Sequence, residues 1–79
     1  MFYSEYGKPS LALKKKMEAK AREYKKPVVA IDAEVFPEIC EQFHVESVPT
    51  LFSIKENTIH ETYVGVPNDE KIDTMLKNI

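Results

Sequence analysis

Leu13, Met17, Ala21 and Tyr24 recur at four, four and three residues among charged neighbours. That spacing predicts a helix over residues 10–25 with one narrow apolar stripe. Pro9 and Ser10 suit its start, Lys25 and Lys26 suit the negative end of its dipole, and Pro27 stops it. Residues 28–33, Val-Val-Ala-Ile-Asp-Ala, are β-branched and nearly continuous, so they predict a strand buried on both faces. Pro37 to Phe43 predicts a short helix with Ile39, Cys40 and Phe43 on its inner side. Leu51–Ile54 and Ile59–Val64 predict two strands joined by a hairpin at residues 55–58, where Asn57 accepts a positive φ. Gly65 interrupts the second of these strands. Asn68 then caps a last helix, whose stripe is Ile72, Met75, Leu76 and Ile79, with Asp69 and Glu70 in the first turn. A strand–helix–strand crossover calls for a parallel pair, and the hairpin adds antiparallel strands.

A length of 79 residues with 43% apolar and 30% charged positions fits one domain, residues 1–79. Such a chain buries only about 60% of its unfolded surface, so support from a partner is expected. The longest apolar run, Val28 to Ile31, is far below the roughly 20 residues of a membrane span. One cysteine excludes an intrachain disulfide, a CxxC pair and a cysteine-based zinc site. The first residues lack the basic and apolar regions of a secretory signal. Cytoplasmic placement is the corresponding expectation.

Charge is unevenly spread. Residues 1–27 hold Lys8, Lys14, Lys15, Lys16, Lys20, Arg22, Lys25 and Lys26 against Glu5, Glu18 and Glu23, a net +5. Residues 28–79 hold Lys55, Lys71 and Lys77 against ten carboxylates, a net −7. A solvated helix face and attraction between the two halves account for the split. No basic motif interleaved with aromatics accompanies it, so no nucleic-acid partner is expected.

The segment Phe43-His44-Val45-Glu46-Ser47-Val48-Pro49-Thr50-Leu51-Phe52 resembles the "aromatic-x-V-x-S-x-P-T-hydrophobic" stretch of the thioredoxin family. Lys55-Glu56-Asn57 is similar to that family's "K-x-G" turn and Val64-Gly65 to its "V-G". The family's "F-W-A-E-W-C-G-P-C" lies ungapped on Phe2 to Ser10. The resemblance covers essentially the whole chain. It implies an α/β, N-terminally truncated thioredoxin-like fold, with a three- to four-stranded mixed sheet (a parallel pair plus an antiparallel hairpin) flanked by three helices. The family's first strand, first helix and most of its second strand have no counterpart, and Phe2 to Ser4 supply only that second strand's last residues. Its neighbours then expose ladder groups, and three readings stand open: the stub suffices in a shortened sheet, another chain fills the gap, or the sequence is a fragment or truncated product of a longer one.

The resemblance also places Gly7 and Ser10 at the two redox-cysteine positions. Thiol–disulfide exchange needs one thiolate to attack and a second thiol to resolve. Neither side chain can do this. The family's buried carboxylate falls at Met1, and Tyr6 stands for its tryptophan. Lys16 and Lys20 occupy commonly apolar helix positions and Lys15 that of a helix-kinking proline, which thins the buried stripe. Pro49 matches a cis-proline lining the family's substrate groove, where the backbone at Val48 offers hydrogen bonds to an extended peptide. Shaping the loop ahead of the next strand is the plainer role for Pro49.

Cys40 matches a small buried position and is expected to pack as an apolar group. A reactive thiol wants exposure and a neighbouring cation, whereas Glu38 and Glu41 flank this one. His44 and His60 are far apart, so no metal site is expected, and no cofactor. Asp32 and Glu34 read as solvated edge charges. Tyr3 and Tyr6 suit either a groove lip, a dimer contact or burial in the reduced core. The expected function is that of a redox-inactive interaction or structural module. It would bind a protein partner, or itself, through Tyr6, Lys8, Pro9, Val48 and Pro49 or through the exposed strand edge. The alternative is a disulfide oxidoreductase remnant with single-thiol activity through Cys40.

Overall fold

The computed structural model describes residues 1–79. Its elements run β1 (Phe2–Tyr3), α1 (Lys8–Tyr24), β2 (Ile31–Asp32), α2 (Pro37–Gln42), β3 (Thr50–Lys55), β4 (Thr58–Val64) and α3 (Asp69–Lys77). The sheet has four strands in the order β2-β1-β3-β4. β1 is parallel to β2, with Phe2 opposite Ile31 and Tyr3 opposite Asp32. It is antiparallel to β3, with Phe2 opposite Thr50. The hairpin of β3 and β4 turns through Glu56 and Asn57, at φ 54° and 64°. Two consecutive left-handed residues give the turn whose twist matches the flanking strands.

Side chains alternate across the sheet, and each face receives a different cover. On one face α1 and α3 bury Leu13, Met17, Leu51, Ile72, Met75 and Leu76 as a single cluster. On the other, Phe2, Phe43 and Phe52 meet with ring centroids 5.3–5.8 Å apart, two of the three pairs nearly edge to face. α1 begins two residues ahead of the predicted start, with Pro9 in its first turn. It ends on left-handed Lys25 (φ 55°), where the Lys26 N–H closes on the Ala21 carbonyl at 2.9 Å. The Asn68 side chain accepts the Lys71 N–H at 2.8 Å and caps α3.

Two expectations need correction. Residues 28–33 do not form a doubly buried strand: only Ile31 and Asp32 join the ladder, and Val29 is 69% exposed. β1 is two residues long, and beyond it only Met1 meets this segment, its nitrogen donating to the Val29 carbonyl. Cys40 is half-buried instead of buried, because six-residue α2 places none of its residues fully inside.

The predicted attraction between halves takes a definite form. Lys16 and Lys20 on α1 reach Asp69 and Asp73 on α3, at 2.9 and 2.7 Å. These positions sit one helical turn apart on both helices, so the pairs form a short ladder along the α1–α3 contact. The hydrogen bond from Lys20 holds the Asp73 carboxyl below the usual carboxylate range, and that from Lys16 does the same for Asp69. A depressed folded pKa stabilises the fold above the unfolded value and ceases to do so as pH falls through the folded one. Stability is therefore expected to decline below about pH 4. Asp73→Asn should flatten that decline in urea titrations at pH 2–6; an unchanged slope would exclude the pair as its source.

Candidate functional site

The loop joining β1 to α1 is closed by serine hydroxyls. Ser10, buried at 2% exposure, accepts the Ser4 N–H at 3.0 Å, and its oxygen lies 2.9 Å from the carbonyls of both Ser4 and Gly7. With a single proton, the hydroxyl donates to these two carbonyls by sharing or alternation. The Gly7 N–H donates to the Ser4 carbonyl at 3.1 Å, and the Leu11 N–H to the Gly7 carbonyl at 3.0 Å. Gly7 is the N-cap of α1 at φ −99° and ψ 102°, extended backbone that any residue can adopt. A Cβ built on Gly7 would stand 3.1 Å from Ser10 Oγ.

Ser4 carries the closure outward. Its Oγ accepts the Tyr6 N–H at 3.2 Å and donates to Glu34 Oε1 at 2.7 Å. Glu34 is thus a tether for the loop and not the free edge charge expected from its position. Asp32 is likewise engaged, accepting the Glu34 N–H on Oδ1 at 2.9 Å. Neither Ser4 nor this link was legible in the sequence, since the partners are thirty residues apart and belong to no periodic pattern.

The pairing of Phe2 with Thr50 brings a second loop to the same end of the sheet. The Val48–Pro49 peptide is cis, and Pro49 is buried. The Pro49 carbonyl accepts the Gly65 N–H at 2.9 Å, and Thr50 Oγ1 donates to the Ser47 carbonyl at 2.6 Å. Gly65 sits at φ 102°, a conformation that a side chain would strain. Three chain segments therefore converge at this end of the sheet: residues 4–10, 44–50 and 64–66.

The sequence model of the thioredoxin family matches residues 1–78. The chain belongs to the thioredoxin family. Among solved structures it is similar to the germline-specific thioredoxin Deadhead of Drosophila melanogaster, at 25% identity and a TM-score of 0.86. That match covers 99% of this chain and 75% of the other. Comparison with curated proteins found no match.

Laid on this thioredoxin-family architecture, the sequence-derived candidates divide sharply. Tyr6 projects at 86% exposure, with Lys8 and Pro9 also exposed and Val48 half-buried. Val64 and Val66, flanking Gly65, are 64% and 53% exposed and extend the apolar margin; the sequence reading missed them because a strand end carries no periodic signal. Tyr3 is not part of that margin. It is buried, with the Lys14 ammonium 5.0 Å from its ring centroid. Cys40 lines a shallow pocket of about 330 Å³ with Ala33, Pro37, Val45, Ser47 and the candidate residue Val48. Its Sγ lies 3.9 Å from the Ala33 carbonyl. No three His, Cys, Asp or Glu side chains converge to hold a cation. No helix is long and apolar enough to cross a membrane.

Proposed function

We propose that this thioredoxin-family domain is redox-inactive and serves as a protein-binding module through the surface formed by Tyr6, Lys8, Pro9 and Val48, with buried Pro49 shaping the loop beneath it. The observation that carries this reading is the substitution at the start of α1. Gly7 offers no side chain, and the hydroxyl of Ser10 is spent on the Ser4 and Gly7 backbone. Dithiol exchange has no attacking and no resolving sulfur there. The same end of the sheet presents Tyr6 and Val66 to solvent beside exposed Lys8. An exposed aromatic with a neighbouring cation is the composition of a contact surface, since Tyr supplies large area at low rotamer cost.

Two measurements test the reading. Insulin reduction with dithiothreitol should proceed at the uncatalysed rate, and catalysed turnover would overturn redox inactivity. A partner isolated on the immobilised protein should lose about tenfold or more in affinity on Tyr6→Ala, the scale of an aromatic contact at the centre of an interface. Unchanged affinity would move the interface elsewhere.

The half-burial of Cys40 favours a second reading, single-thiol chemistry at the shallow pocket beside Val48. Cys40→Ala would then abolish any mixed disulfide formed with a partner, and leave the partner's binding unaltered under the first reading.

A further inference from the structure

The cations of α1 fall into two groups. Lys16 and Lys20 are answered by Asp69 and Asp73, and Lys14 rests on the Tyr3 ring. Lys8, Lys15 and Arg22 are exposed and take part in none of the molecule's salt bridges. They recur at intervals of seven residues. On a helix that interval sets them about 10 Å apart along one line, about 21 Å from first to last. Ala12 and Ala19, also exposed, alternate with them. The line runs opposite Leu13, Met17 and Ala21, the buried stripe of α1. No acidic residue stands in the first turn of α1, so Lys8 adds to the positive end of the dipole with nothing to offset it.

Lys8, Ala12, Lys15, Ala19 and Arg22 follow one another at four, three, four and three residues. That is the interval at which one helix packs along another. The two alanines leave shallow recesses between the cations, where a second helix comes close.

We propose that this face of α1 docks a partner helix that carries a carboxylate at every seventh residue and leucine-sized apolar side chains between them. The carboxylates meet Lys8, Lys15 and Arg22, and the apolar side chains seat over Ala12 and Ala19. Antiparallel packing sets the partner's dipole against that of α1. Glu18 and Glu23 border the line on either side, so a polyanion broad enough to cover the helix, whether nucleic acid or anionic membrane, meets carboxylates as well as cations. A helix with its acidic residues on one central line avoids them. A second copy of this chain matches less well. Its α2 is six residues long and offers Glu38 and Glu41 one turn apart, which reach one cation of the three. Its Asp69 and Asp73 are already engaged. The stripe shares only Lys8 with the Tyr6 surface, and the variants below lie outside that surface, so the failure of either reading leaves the other standing.

The probe is a blocked, fluorescently labelled peptide of three Glu-Ala-Gln-Leu-Gln-Ala-Lys repeats, titrated with the full chain at low salt. Saturable binding is expected below about 1 mM protein, with a rise in the peptide's helicity. Each exposed ion pair contributes a factor of about 1.5–5. Reversing two of them together, in the Lys15→Glu, Arg22→Glu variant, should therefore weaken binding about tenfold or more, and so should glutamine in place of the peptide's glutamates. Ala19→Gln keeps the charge and fills a recess, and should weaken binding about threefold or more. These positions are exposed, so the unfolding midpoints of the variants should match the parent's. Four results would overturn the proposal: no binding at about 1 mM protein, equal binding by the glutamine peptide or the charge-reversed variant, no effect of Ala19→Gln, or tighter binding to an oligothymidylate or to phosphatidylserine vesicles than to the peptide. A sedimenting dimer that the charge reversal dissociates would overturn it too, by giving the face to a second copy.

Discussion

Replacing Gly7 and Ser10 together with cysteine is expected to create dithiol turnover, raising insulin reduction from the uncatalysed rate to a readily measured one. The backbone already has the required span. In a disulfide the S–S bond is about 2.04 Å, which places the Cβ of one cysteine roughly 3.0 Å from the sulfur of the other. The Cβ built on Gly7 stands 3.1 Å from Ser10 Oγ. Gly7 has extended dihedrals, so a side chain there meets no backbone strain. It is also the N-cap of a 17-residue helix with Lys8 beside it. Helix dipole and cation both favour the thiolate. A thiolate at position 7 attacks a substrate disulfide and releases one substrate thiol. The thiol at position 10 then displaces the second, leaving a 7–10 disulfide that dithiothreitol reduces. Gly7→Cys alone should stop at the mixed disulfide. Ser10→Cys alone should be inert, because that position is buried, and should lower stability by about 1–3 kcal/mol by unpairing the Ser4 N–H. Two thiols that remain free after oxidation of the double variant would show that the loop does not hold bridging geometry.

The sequence made the same loop only half legible. The absence of two thiols is chemistry and needs no coordinates. What fills their place is a set of contacts between residues without periodicity, among them Ser4 with Ser10 and Ser4 with Glu34. Pattern reading succeeds where one element carries its own signal: the Leu13–Met17–Ala21 stripe, the Asn68 cap and the two-residue turn at Glu56 and Asn57 all formed where the spacing put them. It fails where burial depends on another element. Val28 and Val29 have the composition of a core strand, yet the ladder with β1 takes in only Ile31 and Asp32. Lys16 and Lys20 look like a solvated flank until α3 sets Asp69 and Asp73 opposite them. The Ser53 hydroxyl reads as an ordinary polar residue of an alternating strand, and only three-dimensional packing turns it inward without a partner.

Ile72→Ala is expected to cost more stability than any other single truncation of the core. Ile72 is fully buried, at 0% exposure, within the cluster formed by Leu13, Met17, Leu51, Met75 and Leu76. Those partners come from α1, β3 and α3, so the side chain joins both helices to the sheet. Removing it forfeits the transfer free energy and leaves a cavity, about 2–5 kcal/mol together. A chain of this length has roughly 4–12 kcal/mol of stability in total, by the usual per-residue scale. With only 15 of 79 residues buried, few other contacts exist to absorb the loss. At about 4–8 °C per kcal/mol for so small a domain, the thermal midpoint should fall by roughly 10–30 °C, enough to leave a large unfolded fraction at 37 °C. Ile72→Val, which removes one methylene, should cost about 0.5–1.5 kcal/mol. Val64→Ala, at an exposed position, should stay within about 0.5 kcal/mol of the parent. Urea unfolding of the three variants gives the order directly, provided the slope with denaturant is constant across the series. If Ile72→Ala instead matched Val64→Ala, the contact between α1, α3 and β3 would not be what holds this small sheet together.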